Sequence, residues 1–316
     1  MSEMTASSID CIPTVEPDGI LLIDKPAGIT SHDVVYKVRR LFGTRKVGHT
    51  GTLDPMATGV LVVLIGRAAK ASEYMSHDEK AYEATLRLGL TTDTEDTSGV
   101  TLTEVPVDRL PNEAAVYAIL ESFRGDIAQI PPMYSALKVN GRKLCDIARK
   151  GGTVERQART VNIRSLEASP VALPTDYRLT VRCSGGTYIR TLCADIGQAL
   201  GCGGVMATLR RTEACGFPLA LCHTLSQLGE MTPEARLSCL LPTEQLFADL
   251  PSVSPTSFYY GLCRNGCELY QARIGTDFPV GTRVRLCDPD GKFFALGEVR
   301  EYEGGTAIKA IKVFVL

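Results

Sequence analysis

Gly48-His49-Thr50-Gly51-Thr52-Leu53-Asp54-Pro55-Met56-Ala57-Thr58-Gly59 runs directly into the apolar stretch Val60-Leu61-Val62-Val63-Leu64-Ile65. Twelve positions hold three glycines, two ionisable side chains and a proline. Glycine lets backbone approach a ligand closely, and a proline restricts the residue before it, here Asp54. Six consecutive apolar residues, four of them β-branched, predict a strand buried on both faces. A carboxylate on a stiff loop beside such a strand is well supported for chemistry. An isolated Asp-Pro is an ordinary turn and an isolated loop histidine an ordinary polar residue. Their neighbours in sequence decide the matter.

Upstream, Gly19-Ile20-Leu21-Leu22-Ile23 reads as a short buried strand that ends in the turn Asp24-Lys25-Pro26-Ala27-Gly28. Thr30 or Ser31 then caps a helix whose Val34, Val38 and Leu41 share one face, with Gly43 ending it. Lys37, Arg39, Arg40, Arg45 and Lys46 follow one another with no intervening acid. Leading straight into His49, they suit phosphate contacts, which position a nucleic acid without reading its bases.

Downstream, residues 68–75 read as a helix, and Tyr82 to Leu88 alternates with Tyr82, Ala84, Leu86 and Leu88 on one side. Residues 89–110 form a Thr- and Asp-rich connection, and Pro111 opens a helix through Phe123. Seven basic residues against two acidic ones lie between Lys138 and Arg159, around an Asn140-Gly141 turn. This basic, turn-rich excursion suits a backbone grip, and Lys138 and Arg142 are its candidate contacts. Tyr177 to Cys183 alternates and leads into Ser184-Gly185-Gly186-Thr187-Tyr188-Ile189-Arg190 and a helix with Ile189, Leu192, Ile196 and Leu200 on one face. Tyr188 and Arg190 are thereby presented at an element end. Beyond Pro242, Pro251 and Pro255 mark a linker, and short strands around an Asp290-Gly291 turn predict a small β-rich module.

The stretch from Gly48 to Leu61 resembles the signature of the TruB-type tRNA pseudouridine synthases, whose catalytic aspartate lies in a G-x-L-D-P-x-A-T-G loop. Asp24-Lys25-Pro26-Ala27-Gly28, Tyr82, Gly186-Thr187-Tyr188-Ile189-Arg190 and Leu209-Arg210-Arg211-Thr212 match further family motifs in order, over about two-thirds of the chain. The resemblance implies an α+β fold: a mixed, largely antiparallel sheet flanked by helices, with a thumb-like insertion about residues 124–159. It implies a tail over 1–18, a catalytic domain over 19–245 and a PUA-like RNA-binding domain over 246–316. It further implies conversion of the T-loop uridine conventionally numbered 55 to pseudouridine. Asp54 would be the catalytic nucleophile or oxocarbenium stabiliser, with Tyr82 stacked on the base, Arg190 paired to Asp54, and Tyr188 shaping the pocket or assisting proton removal. His49 would fill the stack vacated by the flipped base, Leu209 would pack beneath it, and Lys25 would be structural or close to RNA, unless it is a surface lysine. Arg45, Lys46, Lys138 and Arg142 would hold phosphates.

That isomerisation oxidises nothing and loses no atoms, so no cofactor or metal is expected. A cation beside Asp54 lowers a carboxyl pKa by about 1–3 units, so Arg190 is expected to keep it ionised. The partner expected is the tRNA T-stem-loop, bound by a monomer without guide RNA. A guide-RNA-dependent, dyskerin-like synthase is the nearest alternative. A non-catalytic RNA-binding or tRNA-folding chaperone on the same scaffold is another, and an aspartate hydrolase lacks a second carboxylate motif.

The whole composition is compatible with these expectations. A chain of 316 residues suggests two domains; 44% hydrophobic and 22% charged residues allow a sizeable core. The formal net charge of −2 requires any RNA-binding cations to be concentrated on one surface. Eleven cysteines without a C-x-x-C pair, beside four histidines, give no zinc set, and Cys145, Cys183, Cys193 and Cys239 read as small core residues. No basic start followed by an apolar segment opens the chain, and no run is long enough to span a bilayer. A soluble, cytoplasmic protein with reduced thiols is expected.

Overall fold

The computed structural model describes residues 16–75, 79–139, 141–171 and 175–315. Most of the expected tail, and Asn140 of the expected turn, lie outside them. Seven strands build the larger sheet: β1 (Gly19–Lys25), β2 (Thr58–Ile65), β3 (Lys80–Leu88), β4 (Gly125–Gln129), β5 (Arg159–Pro170), β6 (Asp176–Cys183) and β7 (Gly204–Ala214). They lie side by side in the order β1-β2-β7-β3-β6-β5-β4. Every adjacent pair is antiparallel except β2 with β7, so the sheet is mixed and largely antiparallel, as expected. That parallel contact is tight: Gly59 has φ +100°, and a Cβ there would lie 2.1 Å from the Arg211 carbonyl oxygen.

The apolar run in β2 is buried along both faces because alternate residues enter two different cores. Leu61, Val63 and Ile65 pack with Leu21 and Ile23 against Val34, Val35 and Val38 of α1 (Ser31–Leu41). Val60, Val62 and Leu64 pack with Ile20 and Leu22 toward Phe247, Phe293 and Phe314. Thr30 caps α1 reciprocally with Asp33, satisfying donors that the first turn leaves open. A third core joins α2 (Glu113–Leu120) and α3 (Ile189–Ala199) to β3, β5 and β6. The exposed edge of β1 is covered by the returning chain, through Ile20 with Leu241 and Asp24 with His223, which blocks edge-to-edge pairing.

Four readings change in detail. Gly125–Gln129 is a sheet strand paired with Arg159–Ile163, so the excursion proper spans 130–158. It carries the hairpin Lys138–Val139 and Arg142–Lys143 and a short helix, Leu144–Ala148. Residues 66–74 form a 3-10 helix, whose first amides Asp18 accepts through its carboxylate. The 89–110 connection contains a hairpin, Leu90–Thr92 with Thr101–Glu104. Cys183 and Cys193 are buried as expected, whereas Cys145 and Cys239 are half-buried.

The C-terminal module is a five-stranded sheet among the described residues, and it includes Ser252–Val253 from the expected linker. Phe247, Phe293 and Phe314 form a ring cluster at 5.5–5.8 Å between centroids, shared with the catalytic sheet. The ion pairs Arg285–Glu244, at 2.7 Å, and Lys312–Glu73 strengthen that junction. Among the described residues no helix is long and apolar enough to cross a membrane.

Candidate active site

The loop between α1 and β2 is fixed from beneath before it presents anything to solvent. Ser31 Oγ accepts the Leu53 amide at 2.8 Å and donates to the Leu53 carbonyl at 3.1 Å. Lys25 is fully buried, and its ammonium donates to the carbonyls of Pro26, Pro55 and Ala57 at 2.9, 3.2 and 2.7 Å. Burial brings its pKa down to about 8, with Asp54 opposing the fall. The exposed lysine that the sequence allowed is therefore replaced by a brace under the loop. Arg211, 1% exposed, holds the other side by donating to Val60 and Gly51 carbonyls at 2.7 and 3.0 Å.

So held, Asp54 meets Arg190 in the first turn of α3. Arg190 Nε lies 2.9 Å from Asp54 Oδ2, and Nη2 donates to Oδ1 at 3.2 Å. This two-point geometry is the strong form of a carboxylate–guanidinium contact. Two further guanidinium N–H groups donate to the carbonyls of Thr94 and Tyr134, at 3.1 and 2.8 Å. Arg190 is 5% exposed, and the Asp54 side chain keeps 31% of its surface open. Contrary to the sequence expectation, the Asp54 carboxyl is pushed above its ordinary range. Burial is the main cause and Asp96 adds to it, while Arg190 pulls the other way.

The pair lies in a cavity of about 370 Å³ between the loop ahead of β2, β3, β7, the start of α3 and the start of the excursion. Tyr82, Tyr188 and Leu209 line it, as the sequence suggested. Tyr82 is 6% exposed and lies opposite Arg211 in the strand register; burial raises the phenol's pKa. Tyr188 is held by Gln129, which accepts its amide at 2.7 Å and donates to its carbonyl at 3.0 Å. The Arg159 guanidinium covers the Tyr188 ring, 4.8 Å from its centroid.

His49 is not in a loop: it ends a short strand, Val47–His49, paired with Val63. It lies one residue before the cavity-lining Thr50, and its Nδ1 is buried without a hydrogen-bond partner among the described residues. Burial lowers its pKa, keeping the imidazole neutral. Arg45, Lys46, Lys138 and Arg142 are exposed and lie outside the cavity lining. Sequence reasoning passed over Lys80, Gln129 and Arg211. Strand periodicity was available for Arg211, which falls on the same face of β7 as Leu209. Gln129 uses its side-chain amide to hold the backbone of Tyr188 and carried no such signal.

A mixed sheet with a buried aspartate–arginine pair in a cleft at its centre is the architecture of a pseudouridine synthase. A chain from the solved Cbf5-Nop10-Gar1 complex superposes with a TM-score of 0.72 at 26% identity, over 95% of this chain and 85% of that one. Family models for the TruB pseudouridylate synthase N-terminal domain and the tRNA pseudouridylate synthase B C-terminal domain match residues 39–189 and 190–248. A tRNA pseudouridine synthase B of Burkholderia mallei (strain NCTC 10247) is 43% identical over 94% of this chain and 97% of its own length. One of Pseudomonas fluorescens (strain Pf0-1) is 46% identical over 90% and 92%. The chain belongs to the TruB family of pseudouridylate synthases.

Proposed function

We propose that this chain isomerises a tRNA uridine, the T-loop residue conventionally numbered 55, to pseudouridine. The observation that carries the reading is the two-point Asp54–Arg190 contact at one side of a cleft walled by Tyr82, Tyr188 and Leu209. The reaction breaks the bond between uracil N1 and ribose C1′, turns the base, and joins C5 to C1′; C5 gives up its proton and N1 takes one up. Asp54, ionised, attacks or stabilises the electron-poor centre formed when the N1 bond breaks. Arg190 holds its two oxygens in one orientation. Tyr82 and Leu209 keep the detached uracil beside the sugar, and Tyr188, on the wall of the same cavity, shapes the pocket or assists departure of the C5 proton.

The target must leave its stack, at a cost of a few kcal/mol. His49, neutral and planar beside the cleft, is suited to fill the gap. Lys25 acts through the loop, and the exposed cations Arg45, Lys46, Lys138 and Arg142 hold phosphates. We assign residues 19–245 to catalysis and 246–316 to a PUA-like module, in a monomer working in the cytoplasm.

The relatives named as tRNA synthases favour a protein that needs no guide RNA, whereas the likeness to the Cbf5 complex keeps the guided reading testable. Purified protein is incubated with unmodified T-stem-loop RNA and no guide, and pseudouridine is mapped. Wild type is expected to modify one T-loop uridine and Asp54→Asn none, with RNA binding retained. Modification only when guide RNA is added would favour the guided alternative. Tight binding and refolding of tRNA without modification by wild type would favour a chaperone.

A further inference from the structure

The loop Asp93-Thr94-Glu95-Asp96 lies behind the catalytic guanidinium rather than in the cleft. Glu95 adopts φ +63°, a left-handed conformation that strains a residue with a Cβ and persists only where surroundings impose it. Its carbonyl accepts the Met206 amide at 3.0 Å, which ties the loop to β7. The preceding carbonyl, of Thr94, accepts from Arg190 Nη1. Its carboxylate accepts from Thr191 Oγ1 at 2.6 Å, and Thr191 is the residue after Arg190 and 4% exposed.

Glu95 therefore holds the first turn of α3 through its carboxylate, while the carbonyl of the preceding residue, Thr94, holds the guanidinium. It lines a separate cavity of about 350 Å³ with Thr92, Ala194 and Gln198, so it reaches no substrate bound at Asp54. The charged or titratable groups facing it are Arg190, Arg156, Asp96, Asp195 and Cys193. Arg156 belongs to the basic excursion and donates to the Pro131 carbonyl at 2.9 Å, while its Nε is buried without a partner among the described residues. The excursion contacts the loop through Tyr134, whose hydroxyl donates to Asp93 Oδ2 at 3.4 Å and whose carbonyl accepts from Arg190.

We propose that Glu95 is a positioning residue for Arg190, joining the seating of the excursion at Arg156 to the alignment of the guanidinium on Asp54. This rests on the proposed uridine isomerisation. Glu95→Gln keeps an acceptor for Thr191 but removes the charge that faces Arg156; Thr191→Val removes the hydrogen bond and keeps the shape. Both are compared with Arg156→Gln and with the Glu95→Gln/Arg156→Gln double variant, by single-turnover rate and Kd on T-stem-loop RNA, with Tm measured for each.

Each single variant is expected to lower the rate about tenfold, while Kd for Glu95→Gln and Thr191→Val changes less than twofold. The double variant is expected to be no slower than Arg156→Gln alone. Rates within twofold of wild type for Glu95→Gln and Thr191→Val would overturn the proposal, as would a double variant whose losses multiply. A fall in Tm with an unchanged rate would assign Glu95 to stability alone and overturn it equally. Inactive wild type under these conditions would instead defeat the isomerase reading.

Discussion

Asp54 has opposing influences acting on it, and their balance sets how the enzyme responds to acid. Burial raises its pKa above the ordinary value of 3.8 while the paired guanidinium pulls it down. In the proposed reaction Asp54 acts in its ionised form, so the single-turnover rate should fall as pH drops through this raised value. The acid limb should consequently lie above pH 3.8. Replacing Arg190 with Gln removes the opposing cation and should move that limb to higher pH, besides lowering the plateau. A limb that stays in place in Arg190→Gln would dissociate the guanidinium from the ionisation. Lys25 makes a second residue-scale case. Lys25→Met leaves carbonyls of the catalytic loop without their donor, at a cost of about 1–3 kcal/mol, measurable by urea denaturation. The folded lysine gives up its proton near pH 8 and the unfolded one near 10.5. Between those values the unfolded chain binds more protons, so wild-type stability from this group rises with pH. The deficit of Lys25→Met should accordingly widen from pH 8 to 10.5.

At the scale of elements, the site depends on how closely α3 lies on β7. A Cβ at Gly197 would be 2.1 Å from the Gly204 amide nitrogen and 2.4 Å from its Cα. Gly197→Ala must therefore push the helix that carries Arg190 off the strand that carries Leu209 and Arg211. We expect destabilisation of at least about 1–3 kcal/mol, as for other overpacked core sites, and a rate loss greater than the change in Kd. The sequence made most of this layout legible where side chains alternate. Val60 to Ile65 announced a doubly buried strand, and Tyr82 and Arg190 stood at recognisable element positions, whereas Leu209 was marked only by its family motif and its strand was not foreseen. The 89–110 segment remained opaque because it works through Thr94's carbonyl and Glu95's backbone angle, which residue type does not encode. Likewise, Lys25 looked like any lysine in a turn until its ammonium was found among three carbonyls. Burial of Asp54 was the other hidden quantity, and it reversed the direction of the pKa expected from charge pairing alone.

Taken whole, the molecule distributes its charge unevenly. Residues 246–316 contain eight basic and eight acidic side chains, and five of the basic ones are held in ion pairs. The excursion and the segment ahead of His49 carry cations with far fewer partners. Screening with salt should thus act mainly through the catalytic half. Neutralising Lys138, Arg142 and Lys143 together should lower the slope of log K against log salt by about 2, given roughly 0.7–0.9 per phosphate contact. Neutralising Arg264 and Arg273 should leave it nearly unchanged. Equal slopes for the two variants would show that the C-terminal module shares the electrostatic grip.

The position of β7 between β2 and β3 also has a temporal side. Asp54 emerges during synthesis with one pair of strands, and Tyr82 with another group; the strand that joins them is made more than a hundred residues later. Until residue 214 has left the ribosome, each part carries an unsatisfied hydrogen-bonding margin, and the two walls of the cleft have no fixed relation. Such late, distant pairing makes folding slow and leaves sticky intermediates. Catalytic competence should therefore arrive abruptly with that central insertion rather than accumulate as the nascent chain lengthens.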